Sequence, residues 1–126
     1  MAGEPVLVVD DHPTNLKLVQ TLLEAEGYDV RTAADAEQAR SALAEFQPRM
    51  ILMDIQLPGV DGLELTRELK SQDRHRDIRV IAVSSYAMAA DEQRALAAGC
   101  DGFIAKPINT RSLPGTLRAA LAEEVA

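Results

Sequence analysis

Two hydrophobic rhythms alternate along the chain. Short apolar runs of strand length fall at residues 6–9, 50–53, 80–83 and 102–105, with a weaker run at 28–33. Four consecutive apolar residues without polar alternation suit a parallel strand covered on both faces. Between the runs the spacing changes to that of helices. Leu16, Val19, Leu22 and Leu23 share one face, and Gly27 follows as a stop signal. Ala36, Ala39, Leu43 and Phe46 repeat the pattern, with Asp35 as cap and Pro48 as terminator. Leu63, Leu65, Thr66 and Leu69 form a third stripe, and an alanine-rich fourth runs over 91–98 and closes at Gly99. Leu113, Leu117, Ala120 and Leu121 form the last. Pro114 fits that helix only within its first turn, so the helix is expected to start near Ser112, with Ser112 as cap.

The order is strand–helix repeated five times, which implies an α/β fold: a doubly wound parallel sheet with helices on both faces. Right-handed crossovers restrict the topology, and strand order 2-1-3-4-5, the flavodoxin-like arrangement, is expected. The 126 residues leave nothing over for a second domain, so residues 1–126 are taken as one.

Composition narrows the function. Thirteen Lys and Arg against twenty Asp and Glu give a formal net charge of −7. That charge, with no basic run, disfavours binding to nucleic acid or an anionic membrane. The lone Cys100 excludes an intrachain disulfide and a cysteine zinc cluster; it is expected to be a small packed residue. No apolar stretch nears the ~20 residues of a membrane span, and no secretory signal is visible, so a cytoplasmic location is expected.

In open α/β sheets ligands gather at the carboxyl ends of the strands. The residues following the four strong runs are Asp10 and Asp11, Asp54, Ser84 and Ser85, and Lys106 and Pro107. In the expected strand order these line one rim. Three carboxylates converging there repel one another by about 4 kcal/mol per pair at 4 Å and an effective dielectric of 20. A divalent cation relieves that, and hard oxygen ligands suit Mg²⁺ or Mn²⁺. Lys106 and Ser84 supply a point charge and a hydroxyl for phosphoryl oxygens. The set is equipped for phosphoryl transfer onto Asp54. Taken singly, each element has a plainer role as turn or helix cap; their joint placement carries the inference. His12 is expected to play a loop role and His75, in a charged loop, to be solvated.

These residues resemble the receiver domain of two-component response regulators over about residues 5–121. The likeness rests on Val8-Val9-Asp10-Asp11, on Leu52-Met53-Asp54-Ile55-Gln56-Leu57-Pro58-Gly59, on Ser84, and on Lys106-Pro107. Single-domain regulators of the DivK type look closest. Receiver modules of hybrid kinases are nearly as similar, with Asp11-His12-Pro13-Thr14-Asn15 after the first strand. The resemblance implies that Asp54 accepts the phosphoryl group. It implies that Asp11 and Asp54 hold Mg²⁺ through carboxylates and Gln56 through its backbone carbonyl, while Asp10 holds a metal-bound water. Lys106 is implied as the phosphoryl bridge, Ser84 as the switch hydroxyl where the family more often has Thr, and Phe103 as the switch aromatic. Gln56 and Tyr86 stand where the family orients or blocks hydrolytic water.

The implied function is a phosphorylation switch. A histidine kinase or histidine phosphotransfer protein donates the phosphoryl group. With no effector segment before Ala126, output is expected through a protein partner on the fourth helix, fifth strand and fifth helix. Two alternatives stay open at this level. One is a Mg²⁺-dependent phosphohydrolase, which usually needs a second Asp where Gln56 stands and a lid this length does not provide. The other is a phosphorylation-independent interaction module on the same fold.

Overall fold

The computed structural model describes residues 3–57, 62–84, 89–106 and 111–122. Five strands, β1 (Pro5–Val9), β2 (Asp29–Ala33), β3 (Met50–Asp54), β4 (Arg79–Ser84) and β5 (Gly102–Ala105), alternate with five helices. The helices are α1 (Pro13–Ala25), α2 (Ala36–Glu45), α3 (Gly62–Lys70), α4 (Ala89–Ala97) and α5 (Leu113–Ala122). All strand pairs are parallel, in the order β2-β1-β3-β4-β5.

Residue parity along the strands explains the unbroken apolar runs. Leu7, Val9, Ile51, Met53, Val80 and Ala82 pack with Ala39 and Leu43 of α2, Leu65 and Leu69 of α3, and Ala95 of α4. Their neighbours Val6, Val8, Met50, Leu52, Ile81 and Val83 face Val19 and Leu23 of α1 and Leu113 and Leu117 of α5. Both faces are covered, so every position must be apolar.

Helix ends follow the expected signals. The Asp35 side chain accepts the Gln38 backbone N–H at 2.8 Å, and the Gln38 side chain returns to the Ala34 N–H at 2.8 Å. Gly27, at φ +96°, ends α1 with N–H bonds from Gly27 to Glu24 O and from Tyr28 to Leu23 O. Gly99, at φ +107°, ends α4 with the same pair, to Leu96 O and from Cys100 to Ala95 O. Both are Schellman ends, which need a left-handed residue. Pro114 is the second residue of α5, and Thr116 N–H bonds Ser112 O at 3.0 Å. Phe46 lies one residue past α2, in extended conformation. β3 and β4 each run one residue further than the apolar pattern, because Asp54 pairs with Val83 and Ser84 with Ala105. Two residues of the site are therefore strand termini rather than loop residues. No helix among the described residues is long and apolar enough to cross a membrane.

His75 corrects an expectation. It is buried, not solvated, at 8% exposure. The backbone turns of residues 71–78 fold it inward: His75 N–H bonds Gln72 O, and Ile78 N–H bonds His75 O. Its Nδ1 pairs with Gln72 Oε1 at 2.9 Å, while Nε2 is buried with no partner. Burial first, and Arg74 second, push its pKa below the ordinary value of about 6.5. The unfolded chain then binds the proton more tightly than the folded one. The stability this neutral ring contributes is complete above pH ~6.5. It is lost as pH falls from there toward the lower folded value, at no more than about 1.4 kcal/mol per pH unit. Urea unfolding of wild type and His75→Gln across pH 5–8 should show wild type losing more stability in acid. Parallel curves would refute the assignment.

Candidate functional site

The carboxyl ends of β1, β3, β4 and β5 lie side by side. Asp10 follows β1 directly and is 5% exposed; its N–H bonds Ala33 O at 3.0 Å, continuing the ladder to β2. Its Oδ1 accepts the His12 N–H at 2.9 Å, a short turn that starts α1. His12 occupies the position before α1 and makes no side-chain cap. Its Nδ1 lies 3.2 Å from Asp10 Oδ1 and 3.1 Å from Asp11 Oδ1. The second contact lacks hydrogen-bond alignment, so Asp11 Oδ1 is buried without a hydrogen bond.

Asp54, the last residue of β3, is 1% exposed. Its Oδ1 accepts the Gln56 backbone N–H at 2.9 Å, and its Oδ2 accepts Lys106 Nζ at 3.1 Å. Lys106 Nζ also lies 3.6 Å from Asp10 Oδ2. The Lys106 backbone is tied to β4 by its N–H bond to Ser84 O at 2.8 Å. The Ser84 side chain is fully buried at the end of β4, and the Gln56 amide Nε2 donates to its Oγ at 2.7 Å. Phe103, on β5, is partly buried against the α2–α3–α4 side of the core.

One ammonium thus serves a crowded acidic set. Ligand atoms of Asp10, Asp11, His12 and Asp54 all lie within 4.8 Å of one another. Two carboxylate charges that far apart repel by about 3.5 kcal/mol at an effective dielectric of 20. The orphaned Asp11 oxygen and the all-oxygen carboxylate donors fit a hard divalent cation.

The sequence-predicted residues Asp10, Asp11, Asp54, Gln56, Ser84 and Lys106 are brought to one rim. Phe103 stands apart from the carboxylates, in the sheet. Pro58, Gly59, Ser85, Tyr86 and Pro107 lie outside the described residues. The pattern along the chain did not reveal Gly62, the first residue of α3. A side chain there would meet Asp54 O at 2.4 Å and Ile55 Cα at 2.7 Å. Its only sequence signal was a glycine ahead of a helical stripe. Cys100 is buried as expected, its thiol 4.0 Å from Thr66 Oγ, and burial pushes its pKa up to about 11.

Residues 6–118 match the response regulator receiver domain family. The polar-differentiation response regulator DivK of Brucella anthropi is 42% identical over 118 residues, covering 94% of this chain and 96% of that protein. Among solved structures, a CheY-like response regulator receiver domain protein from Methanospirillum hungatei superposes with a TM-score of 0.89 at 31% identity, covering 98% of this chain and 97% of that one. The receiver domain of a sensor histidine kinase from Pseudomonas aeruginosa, with a magnesium ion coordinated in its active site cleft, does so with a TM-score of 0.86 at 33% identity. That match covers 96% of this chain and 99% of the other.

Proposed function

Because this chain belongs to the response regulator receiver domain family, a family of phosphorylation-accepting signalling domains, we propose that Asp54 is its phosphoryl acceptor and that residues 1–126 act as one such domain. The donor is a phosphohistidine of a histidine kinase or histidine phosphotransfer protein. The phosphorus–nitrogen bond to the imidazole breaks and a phosphorus–oxygen bond forms to a carboxylate oxygen of Asp54. The imidazole nitrogen leaves with the electron pair and remains on the donor. The observation that carries this reading is the convergence of Asp10, Asp11 and Asp54, with Lys106 against Asp54 and Asp10 and one buried Asp11 oxygen without a hydrogen bond.

Asp11 and Asp54 would hold Mg²⁺ through their carboxylates, Gln56 through its carbonyl, and Asp10 through water. When bound, the ion supplies positive charge that offsets the carboxylates and the incoming phosphoryl oxygens. Lys106 then has a phosphoryl oxygen to bind beside Asp54, and Ser84 donates its hydroxyl to another. Ser84 and Phe103 translate the added group into a changed face formed by α4, β5 and α5, which a downstream protein reads. This is a two-state equilibrium biased by a covalent charge. The phosphohydrolase alternative needs an acid–base carboxylate two residues after the acceptor. The group there is the Gln56 amide, already bonded to Ser84. A net charge of −7 favours a protein partner over nucleic acid or an anionic membrane.

The test is intact-mass measurement with acetyl phosphate. Wild type should gain one phosphoryl group with Mg²⁺ and none with a chelator. Asp11→Ala should need about tenfold more Mg²⁺ for the same labelling rate. Labelling that ignores the chelator would overturn the metal assignment, and no labelling under any condition would overturn the reading itself.

A further inference from the structure

The Gln56 side chain has a job that neither the acceptor chemistry nor the metal set explains. Its backbone N–H is bound to Asp54 Oδ1 at 2.9 Å, which fixes the stem of the residue beside the acceptor. From that stem the amide reaches across to β4 and donates to Ser84 Oγ at 2.7 Å. Gln56 is half-buried and Ser84 fully buried, so water competes weakly for this contact. The hydroxyl oxygen is held by a residue two positions past the acceptor.

We propose that the Gln56 amide is a latch on the switch hydroxyl, and that it holds the unphosphorylated state. The inference rests on the reading of Asp54 and Ser84 given above. To bind a phosphoryl oxygen, Ser84 must rotate its hydroxyl toward Asp54. That rotation draws Oγ away from the amide, and the hydrogen bond is lost or lengthened. Part of the free energy of phosphoryl binding is spent on opening the latch. Gln56 is in this sense a positioning residue: it acts on the switch through Ser84 and takes no part in bond formation. A shorter side chain at this position cannot span the gap. An apolar one of equal length can span it but cannot donate. The length and amide of Gln56 therefore set how strongly the resting state resists activation.

The experiment is a double-mutant cycle with beryllofluoride, a phosphoryl mimic, titrated in Mg²⁺ and followed by NMR of the ¹⁵N-labelled chain. Gln56→Met keeps the length and removes the donor. It should tighten beryllofluoride binding about threefold to tenfold, the range expected from one net hydrogen bond. In a Ser84→Ala background the same change should alter affinity less than about twofold, because no hydroxyl remains to hold. Gln56→Asn, too short to reach, should behave as Gln56→Met, and stands in for it if the methionine variant does not fold. Without any ligand, the Gln56 side-chain amide resonances should shift in Ser84→Ala. Unchanged or weakened affinity in Gln56→Met, equal effects in both backgrounds, or amide resonances indifferent to Ser84→Ala would each overturn the latch. A wild-type chain that binds no beryllofluoride would overturn the acceptor-site reading and the latch with it.

Discussion

Asp54→Asn is expected to take up no phosphoryl group under conditions that label wild type, while remaining folded. An amide oxygen is not a competent nucleophile toward phosphorus, so the loss of labelling should be complete rather than partial. The effect on folding is small because two larger effects oppose each other. Removing the Asp54 charge ends its repulsion by Asp10 and Asp11, about 3.5 kcal/mol each at 4.8 Å and an effective dielectric of 20. It also ends the attraction to Lys106, about 5 kcal/mol at 3.1 Å on the same scale. The difference, about 2 kcal/mol of relief, is reduced further because asparagine has one oxygen where Asp54 accepts from both Gln56 N–H and Lys106 Nζ. Intact mass for labelling, and urea unfolding in chelator for stability, should separate the two. Equal labelling of Asp54→Asn and wild type would place the acceptor elsewhere. Collapse of the fold would show that the attraction to Lys106 outweighs the repulsion from Asp10 and Asp11.

Gly62→Ala is expected to destabilise the domain by about 3 kcal/mol, at the upper end of the cost of overpacking. The added Cβ would sit 2.4 Å from Asp54 O, 2.7 Å from Ile55 Cα and 3.1 Å from Asp54 C. All three are backbone atoms, so no rotamer can relieve the contact. Either the first turn of α3 moves outward or the end of β3 does, and the latter displaces the acceptor and the Gln56 carbonyl. Elsewhere in a helix the same substitution helps by up to about 1 kcal/mol through propensity. Gly115 in α5 is the internal comparison: among the described residues its Cβ would meet only Arg118 Nη2, at 4.0 Å. Gly115→Ala should be neutral or stabilising, and Gly62→Ala should also need more Mg²⁺ for labelling. Equal behaviour of the two variants in urea unfolding would remove the close approach as a constraint on the site.

Much of this molecule can be read directly from the chain. The apolar runs fall within β1, β3 and β4 because a parallel strand buried on both faces tolerates no polar residue in its middle; the run in β5, at the sheet edge, is only partly covered. Asp35, Gly27 and Gly99 mark helix ends because the orphan backbone groups of a helix need a side-chain acceptor or a left-handed residue. The acidic and basic residues of the site were visible because the topology puts function at strand ends.

What fails in such a reading is burial set by the turns of a loop, and contacts whose partners are distant in sequence. His75 lies in a loop of charged residues, and only the local turns that fold it inward make it buried. Lys70 reads as an ordinary helix-terminal lysine. In the fold its Nζ binds Ile78 O at 2.7 Å and Asp101 Oδ2 at 3.0 Å, while Asp101 also accepts the Val80 N–H at 2.9 Å. Three elements are joined there by groups that no local pattern connects.

The alternation of apolar strand runs with amphipathic stripes, and the polar residues following the strong runs, were enough to specify the doubly wound sheet and which polar residues meet at its rim. Both depend on periods and neighbours along one chain segment, and burial acts on them residue by residue. Only the tertiary structure decided how the rim is wired. It turned the Gln56 amide onto Ser84 and left one Asp11 oxygen without a hydrogen bond. It also set the Gly62 backbone against that of Asp54. These are distances of a few ångströms between separate strands, helices and loops. They depend on how residues 55–57 and the start of α3 pack beside β3 and β4, which the order of residues along either segment does not specify.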